Sequence, residues 1–518
     1  MLLIPGELKK RYDEWAQKKR EPFLRRAREA SALTLPTLIP PESHTGENDL
    51  PSPYQNMGSR GVNNIASKLL LIMFPPNQPF FRMVINDYDT QKETDGNPDA
   101  KKDVEEALAR YENAVIQNIE TSDARVKMFQ TMKHLAVSGN GLVFNQDDGN
   151  TRLYALDQYV IKRDASGNVL AHIAMDRVAP IALDEATQAA LQGKVEPDQM
   201  AEDHKLYTGV AWDGKKWRVW QEVADTVIPR SRGTYTKKNN PWLPIRLEAI
   251  DGEDYGRGYV ENFIGDLQSA EGLSEAIVEG ARNAAKVIWM VSQNGFTRIE
   301  DLVKAPNGGF VSGSPDDVQA LQLQKSTDFN TAFQALQGIA ADLSRAFLMN
   351  TSVQRPGERV TAEEIRFVAQ ELEDALGGVY SVLAQELQLP FLKYRIMRLE
   401  KHKKLPKLPD SVNPTITTGL QALGRGHDLE RLRVLVGQIA QLGPEVVDKH
   451  VNMGGLIGQL AAALNVEPKG LINDPQDIEQ QEQQQQLMAM LQQAMPGIMS
   501  MADNQLTNAQ NAQGDAQQ

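Results

Sequence analysis

The chain has 518 residues, no cysteine, 24% charged and 41% hydrophobic residues, and a formal net charge of −13. That length exceeds what one hydrophobic core sustains and implies about two to four domains. The missing cysteine excludes disulfides, thiolate metal sites and cysteine nucleophiles, and the negative charge excludes a surface built to wrap nucleic acid tightly. The opening Met1-Leu2-Leu3-Ile4 runs straight into Pro5, Glu7, Lys9, Lys10 and Arg11, so no secretory apolar region is expected. Residues 65–74, the most apolar early stretch, contain Lys68 and are too short to span a bilayer.

In chain order, residues 7–33 repeat Leu8, Tyr12, Trp15 and then Phe23, Leu24, Ala27 at helical spacing. Prolines 36, 40, 41, 51 and 53 interrupt regular structure around a polar loop at 43–49. A helix is expected over 59–74, stopped by Pro75-Pro76, then a strand at 80–86 and helices at 101–119 and 123–137. After the Ser138-Gly139-Asn140-Gly141 turn, short strands follow at 142–144, 153–155, 159–162 and 169–175, with Ala165-Ser166-Gly167-Asn168 joining the last two as a hairpin. A polar helix is expected at 182–192, then strands at 205–212 and 217–223 around the Asp213-Gly214 turn. Trp212, Trp217 and Trp220 gather there, either as core or interface bulk or as a platform for stacking bases.

From Arg257 the pattern turns to long helices. Val260, Phe263, Ile264, Leu267, Ala270, Leu273, Ile277, Ala281 and Ala284 form one apolar stripe, entered through the glycine-rich, acidic 251–258 segment. That segment matches no phosphate-loop spacing, so it is read as a helix entry. Residues 286–325 are short strands and turns set between two helices; the second helix covers 328–348 with Phe329, Phe333, Leu336, Ile339, Leu343 and Phe347 on one face. The polar 350–360 segment leads to Thr361 and Glu364, a capping box opening a helix to about residue 402, with Gly377-Gly378 as a kink or close crossing. A linker at 403–414, helices at 429–442 and 444–464, and a glutamine-rich end at 476–518 without Lys or Arg complete the chain.

There is no GxxxxGK[ST], no His-Glu-x-x-His and no Gly-x-Ser-x-Gly, and seven histidines are dispersed. No catalytic, metal or cofactor site is therefore expected. Acid pairs such as Asp316-Asp317 and Glu363-Glu364 are ordinary at turns and helix starts.

Four strings carry a family resemblance: Arg60-Gly61-Val62-Asn63-Asn64-Ile65-Ala66-Ser67-Lys68-Leu69; the run from Gln354 through Arg355-Pro356-Gly357-Glu358-Arg359 to Arg366; Leu376-Gly377-Gly378-Val379-Tyr380-Ser381 continuing to Gln388-Leu389-Pro390; and Thr418-Gly419-Leu420-Gln421-Ala422-Leu423-Gly424-Arg425-Gly426. They resemble the portal, or head-to-tail connector, proteins of short-tailed bacteriophages of the autographivirus type. The resemblance runs from about Arg11 to Val466.

It implies a mixed α+β, mostly helical portal fold, assembled as a ring of about twelve subunits. In that scheme 1–258 is an α/β wing, 259–285 the first stem helix, 286–327 a small α/β clip insert and 328–349 the second stem helix. Residues 350–360 are a tunnel loop, 361–414 a long kinked helix returning through the wing, and 415–475 a helical crown. The glutamine-rich 476–518 would be partly helical or mobile.

The ring would sit at the unique vertex of a phage head, in the virion, after assembly in the host cytoplasm, as a channel for DNA packaging and ejection. Its implied partners are other copies of itself, double-stranded DNA, terminase, tail adaptor proteins, major capsid and scaffold proteins, and internal core proteins, with no membrane and no enzymatic role. Acidic walls suit a channel through which DNA must slide. Arg355, Arg359 and Arg366, with Glu358, are the candidate channel residues, and Lys286 and Lys325 flanking the clip are weaker ones; the alternative reading pairs some of the arginines with Glu358, Glu363 or Glu364 between subunits. The rival readings are a generic helical virion scaffold or adaptor, and a DNA-processing enzyme.

Overall fold

The computed structural model describes residues 2–76, 79–85, 98–284, 288–321, 326–349, 372, 377, 379–409, 411–416 and 437. Two units are distinguished, Met1–Leu420 and Gln421–Gln518, and every element below belongs to the first. Apart from Gly437, the expected helices at 429–442 and 444–464, the capping box at Thr361 and the glutamine-rich end lie outside the described residues. The chain is mixed α and β, and no described helix is long and apolar enough to cross a membrane.

The first unit begins with α1 (Leu8–Trp15), a π turn (Ala16–Arg20), α2 (Glu21–Ala32) and α3 (Met57–Met73). Then come β1 (Phe81–Ile85), α4 (Pro98–Glu120), α5 (Ala124–Ser138), β2 (Asn140–Asn145), β3 (Thr151–Tyr154), β4 (Tyr159–Arg163) and β5 (Val169–Val178). After α6 (Glu185–Leu191), strands β6 (His204–Trp212), β7 (Trp217–Val223), β8 (Thr226–Val227), β9 (Gly233–Tyr235) and β10 (Trp242–Arg246) lead to a 3-10 turn (Tyr259–Phe263) and α7 (Ile264–Ala284). The insert holds β11 (Ile288–Val291), α8 (Ile299–Lys304) and β12 (Val318–Leu321). The described remainder is α9 (Ser326–Ala346), α10 (Val379–Leu383), a π turn (Ala384–Gln388), α11 (Leu389–Lys401) and β13 (Val412–Ile416).

The largest sheet is antiparallel in the order β4-β5-β6-β7-β8, with β9 also pairing β7. Side chains on a strand alternate between faces, and both faces are used. Val160, Ala171, Ile173, Tyr207, Ala211 and Trp220 pack under Leu8, Tyr12 and Trp15 of α1. Their neighbours Tyr159, Ile161, Ala174, Val210 and Trp217 point the other way, onto Leu24 and Ala27 of α2 and onto Leu142 and Trp242 of the second sheet, β10-β2-β3. Trp217 and Trp220, 8% and 3% exposed, are thus core residues on opposite faces and offer no surface on which a base could stack.

Glu222 fixes the start of α1. Its buried carboxylate accepts from Gly6 N at 2.6 Å, Leu8 N at 2.9 Å and Trp220 Nε1 at 2.7 Å, pairing amide groups that a helix start otherwise leaves unsatisfied.

The largest core joins α3, α4, α5, α11 and the β1-β13 pair to the first turns of α7 and the end of α9, with Leu372 buried in it. Several boundaries differ from the sequence expectation, for identifiable reasons. The first long helix starts at Ile264 because residues 259–263 wind as a 3-10 turn. Strands β10 and β13 contain Pro244 and Pro414, which break the alternation by which strands are recognised; both are edge strands, where a missing N–H is tolerated. Gly377 takes φ +39, a turn conformation, two residues before α10 starts at Val379. The π turn at 384–388 precedes Pro390, whose ring lacks an N–H and crowds the carbonyl four residues back, so the ladder widens there.

Candidate functional site

All six residues singled out from the sequence, Lys286, Lys325, Arg355, Glu358, Arg359 and Arg366, lie outside the described residues. What is described is the framework on both sides of them.

The last carbonyls of a helix have no partners within it. At the end of α9 side chains supply them. Asn64 Nδ2 donates to Phe347 O at 2.8 Å and Leu348 O at 2.9 Å, Lys68 Nζ donates to Leu348 O at 2.9 Å, and Tyr259 Oη donates to Ala346 O at 2.7 Å. Leu348 is left-handed, at φ +55, as residues just past a helix end commonly are. Phe347 lies flat against Gly61, where a Cβ would stand 2.5 Å from its ring. Helix α3 therefore grips α9 at the last described residues before 350. Sequence reasoning missed Asn64 and Lys68; the signal was a polar pair four residues apart on a helix whose neighbours Ile65 and Leu69 are buried.

On the far side, α11 is docked by charge. Glu386 accepts from Arg246 N at 2.9 Å and Nη2 at 2.6 Å, and Arg163 Nη1 stands 3.6 Å away. Arg395, 1% exposed, donates to Gly149 O at 2.7 Å and to Thr151 Oγ1 at 2.8 Å, and lies over the Phe391 ring. Burial draws its pKa down to about 10. Arg398 donates to Asp147 O and Asp148 O, so two arginines one turn apart hold the 147–151 turn.

The acidic, glycine-rich 251–258 segment is structural. Asp254 accepts from Arg163 N at 2.7 Å and pairs with Lys162 at 3.0 Å; Glu253 and Glu261 both pair with Arg257. Asn140 and Gly256 bond reciprocally at 2.7 and 2.9 Å. At Gly139, with φ +70, a Cβ would meet the Arg257 backbone at 2.1 Å, so only glycine fits. Asp317, of the acid pair in the insert, is likewise engaged, accepting from Thr297 N and Oγ1. Among the described residues no group of three or more acids or histidines is placed to hold a metal ion.

Helices α7 and α9 pack together, with Phe329 against Gly280. Only the first part of the α7 stripe, Leu267 and Ala270, is buried; Val278 is 36% and Phe333 of α9 50% exposed. Asp266, Glu275 and Glu279 are exposed on α7 against Arg282 alone. In the insert β11 pairs with β12, and Phe296, Val303 and Phe310 stand 93%, 80% and 105% exposed.

A helix pair with unfilled apolar surface, an insert between its helices and an α/β body agree with what sequence comparison finds. The model of the family described as bacteriophage head to tail connecting protein matches residues 6–472. The chain belongs to that family. Among its curated relatives, the portal protein of Escherichia phage T7 is 40% identical over 505 residues, covering 96% of this chain and 92% of the relative. The portal protein of Enterobacteria phage T3 is also 40% identical, covering 88% and 86%, and that of Enterobacteria phage SP6 is 29% identical, covering 93% and 94%. The family match stops short of the glutamine-rich end of this connector.

Proposed function

We propose that this connector is one subunit of a closed ring of about twelve copies that forms the DNA channel at the unique vertex of a phage head. The observation that carries the reading is the exposed apolar surface on α7 and α9. Val278 and Phe333 are large apolar side chains left open on long helices, as expected of faces that a neighbouring copy covers. In the ring, α7 and α9 are the stem, residues 286–327 the clip, 350–360 the tunnel loop and 415–475 the crown. Arg355, Arg359 and Arg366, with Glu358, are proposed to meet the DNA, and Lys286 and Lys325 to flank the clip. The acidic surface of α7 keeps phosphates moving, since like charge opposes adhesion. The ring is a conduit and dock: terminase drives packaging, tail adaptors then take its place, and capsid, scaffold and internal core proteins bind elsewhere on it.

Class-averaged electron microscopy of the purified chain, with mass photometry to count subunits, tests this. A closed ring with an axial hole that admits a duplex about 20 Å across supports it. A stable monomer or open filament sinks it and favours the adaptor alternative.

A further inference from the structure

The first helices carry charge opposite in sign to the whole chain. Residues 7–30 hold nine Lys or Arg against five Asp or Glu, within a chain of −13. The π turn sorts them. Arg20, 7% exposed, turns inward and donates to Tyr12 Oη at 2.8 Å and to the carbonyls of Asp157 and Tyr159. Lys18 and Lys19, just before it, stay outside. With Arg11 of α1 and Lys162 of β4 they line a groove of about 310 Å³ in which Glu14 is the one carboxylate. Glu14 is shared by Arg11 at 2.8 Å and Lys18 at 3.2 Å, and Lys162 is paired with Asp254 below. Lys19 forms no ion pair among the described residues. The lining thus holds four cations against one acid.

We propose that this groove binds backbone phosphates of DNA lying against the outside of the subunit, a site separate from the channel. Three of its cations are lysines, compact point charges that meet phosphate from any direction; the one arginine, whose planar fork suits carboxylates, already faces Glu14. The choice of DNA as the phosphate source rests on the connector reading above, which brings the duplex to this protein. The groove itself is complete within one subunit.

The test uses covalently closed circular duplex, which a closed ring cannot thread, so its binding reports an outer site. Retention of the circle by the full-length chain is measured between about 50 and 200 mM salt. The expected result is binding that weakens with salt, and a Lys18→Ala/Lys19→Ala variant whose log–log salt slope is shallower by about two, one for each lysine. A Lys9→Ala/Lys10→Ala variant removes equal charge from the neighbouring α1, outside the groove, and is expected to keep most of the slope. Equal loss in both variants, or no change in the first, overturns the site. Displacement by inorganic phosphate where sulfate at equal ionic strength fails would reassign the groove to a free phosphate. Tighter binding of an acidic peptide than of DNA at equal charge, lost in the first variant, would reassign it to an acidic protein; either outcome overturns the DNA proposal. Failure to form a ring is read separately by microscopy and bears on the channel, not on this groove.

Discussion

Glu222 holds three donors from two elements, and removing it leaves all three without that partner, those of Leu8 and Trp220 buried. Glu222→Ala is expected to destabilise the first unit by about 3 kcal/mol, read as an earlier urea transition, while a surface exchange such as Lys215→Ala leaves the transition in place. Histidines give a pH signature. Burial holds His134 down to about 4 and His172 to about 3, the latter also opposed by the nearby Arg163 cation. Both stay neutral in the folded chain, so the unfolded chain gains protons first as pH falls. Their contribution is complete above the unfolded histidine pKa of about 6.5 and is lost as pH falls from there toward 4, at about 1.4 kcal/mol per pH unit for each histidine. Thermal unfolding from pH 7 to 4 should show the fall, and His172→Phe should make it shallower. Nothing in the sequence marks these two histidines from the other five, because burial of a single polar side chain leaves no periodic trace.

At the scale of elements, two contacts govern how helices are placed. Gly61 is a residue by which α3 admits Phe347, and Gly61→Val is expected to cost about 2 kcal/mol through overpacking and to open the end of α9 to proteolysis near Leu348. Arg395→Ala should cost about 3 kcal/mol, since Gly149 O and Thr151 Oγ1 lose a buried donor, and should speed cleavage within the 147–151 turn. Helical stripes and the two hairpin turns were legible in sequence because period 3.6 and the Ser-Gly-Asn and Asp-Gly signals are local. The π turns and the proline-bearing edge strands were not, because each exists only where a neighbouring element supplies or forgives the missing hydrogen bond.

For the whole molecule, the proposed ring rests on the exposed apolar side chains Val278 of α7 and Phe333 of α9. Phe333→Asp or Val278→Asp is expected to abolish ring formation in mass photometry while leaving the thermal transition of the subunit within about 0.5 kcal/mol, as for other exposed sites. A ring that survives both changes would show that the copies meet elsewhere.

Family membership, the mixed α and β class and the helix–insert–helix order could be read from the linear chain, because long matching strings and local periodicity survive without coordinates. The meeting of Asn64, Lys68 and Tyr259 on the end of α9, the docking of α11 by Arg395 and Arg398, and the groove that joins Lys18 and Lys19 to Lys162 could not. Those partners are separated by 87 residues or more, and hydrogen bonds and charge pairs over such distances follow from how the cores pack rather than from any pattern along the chain.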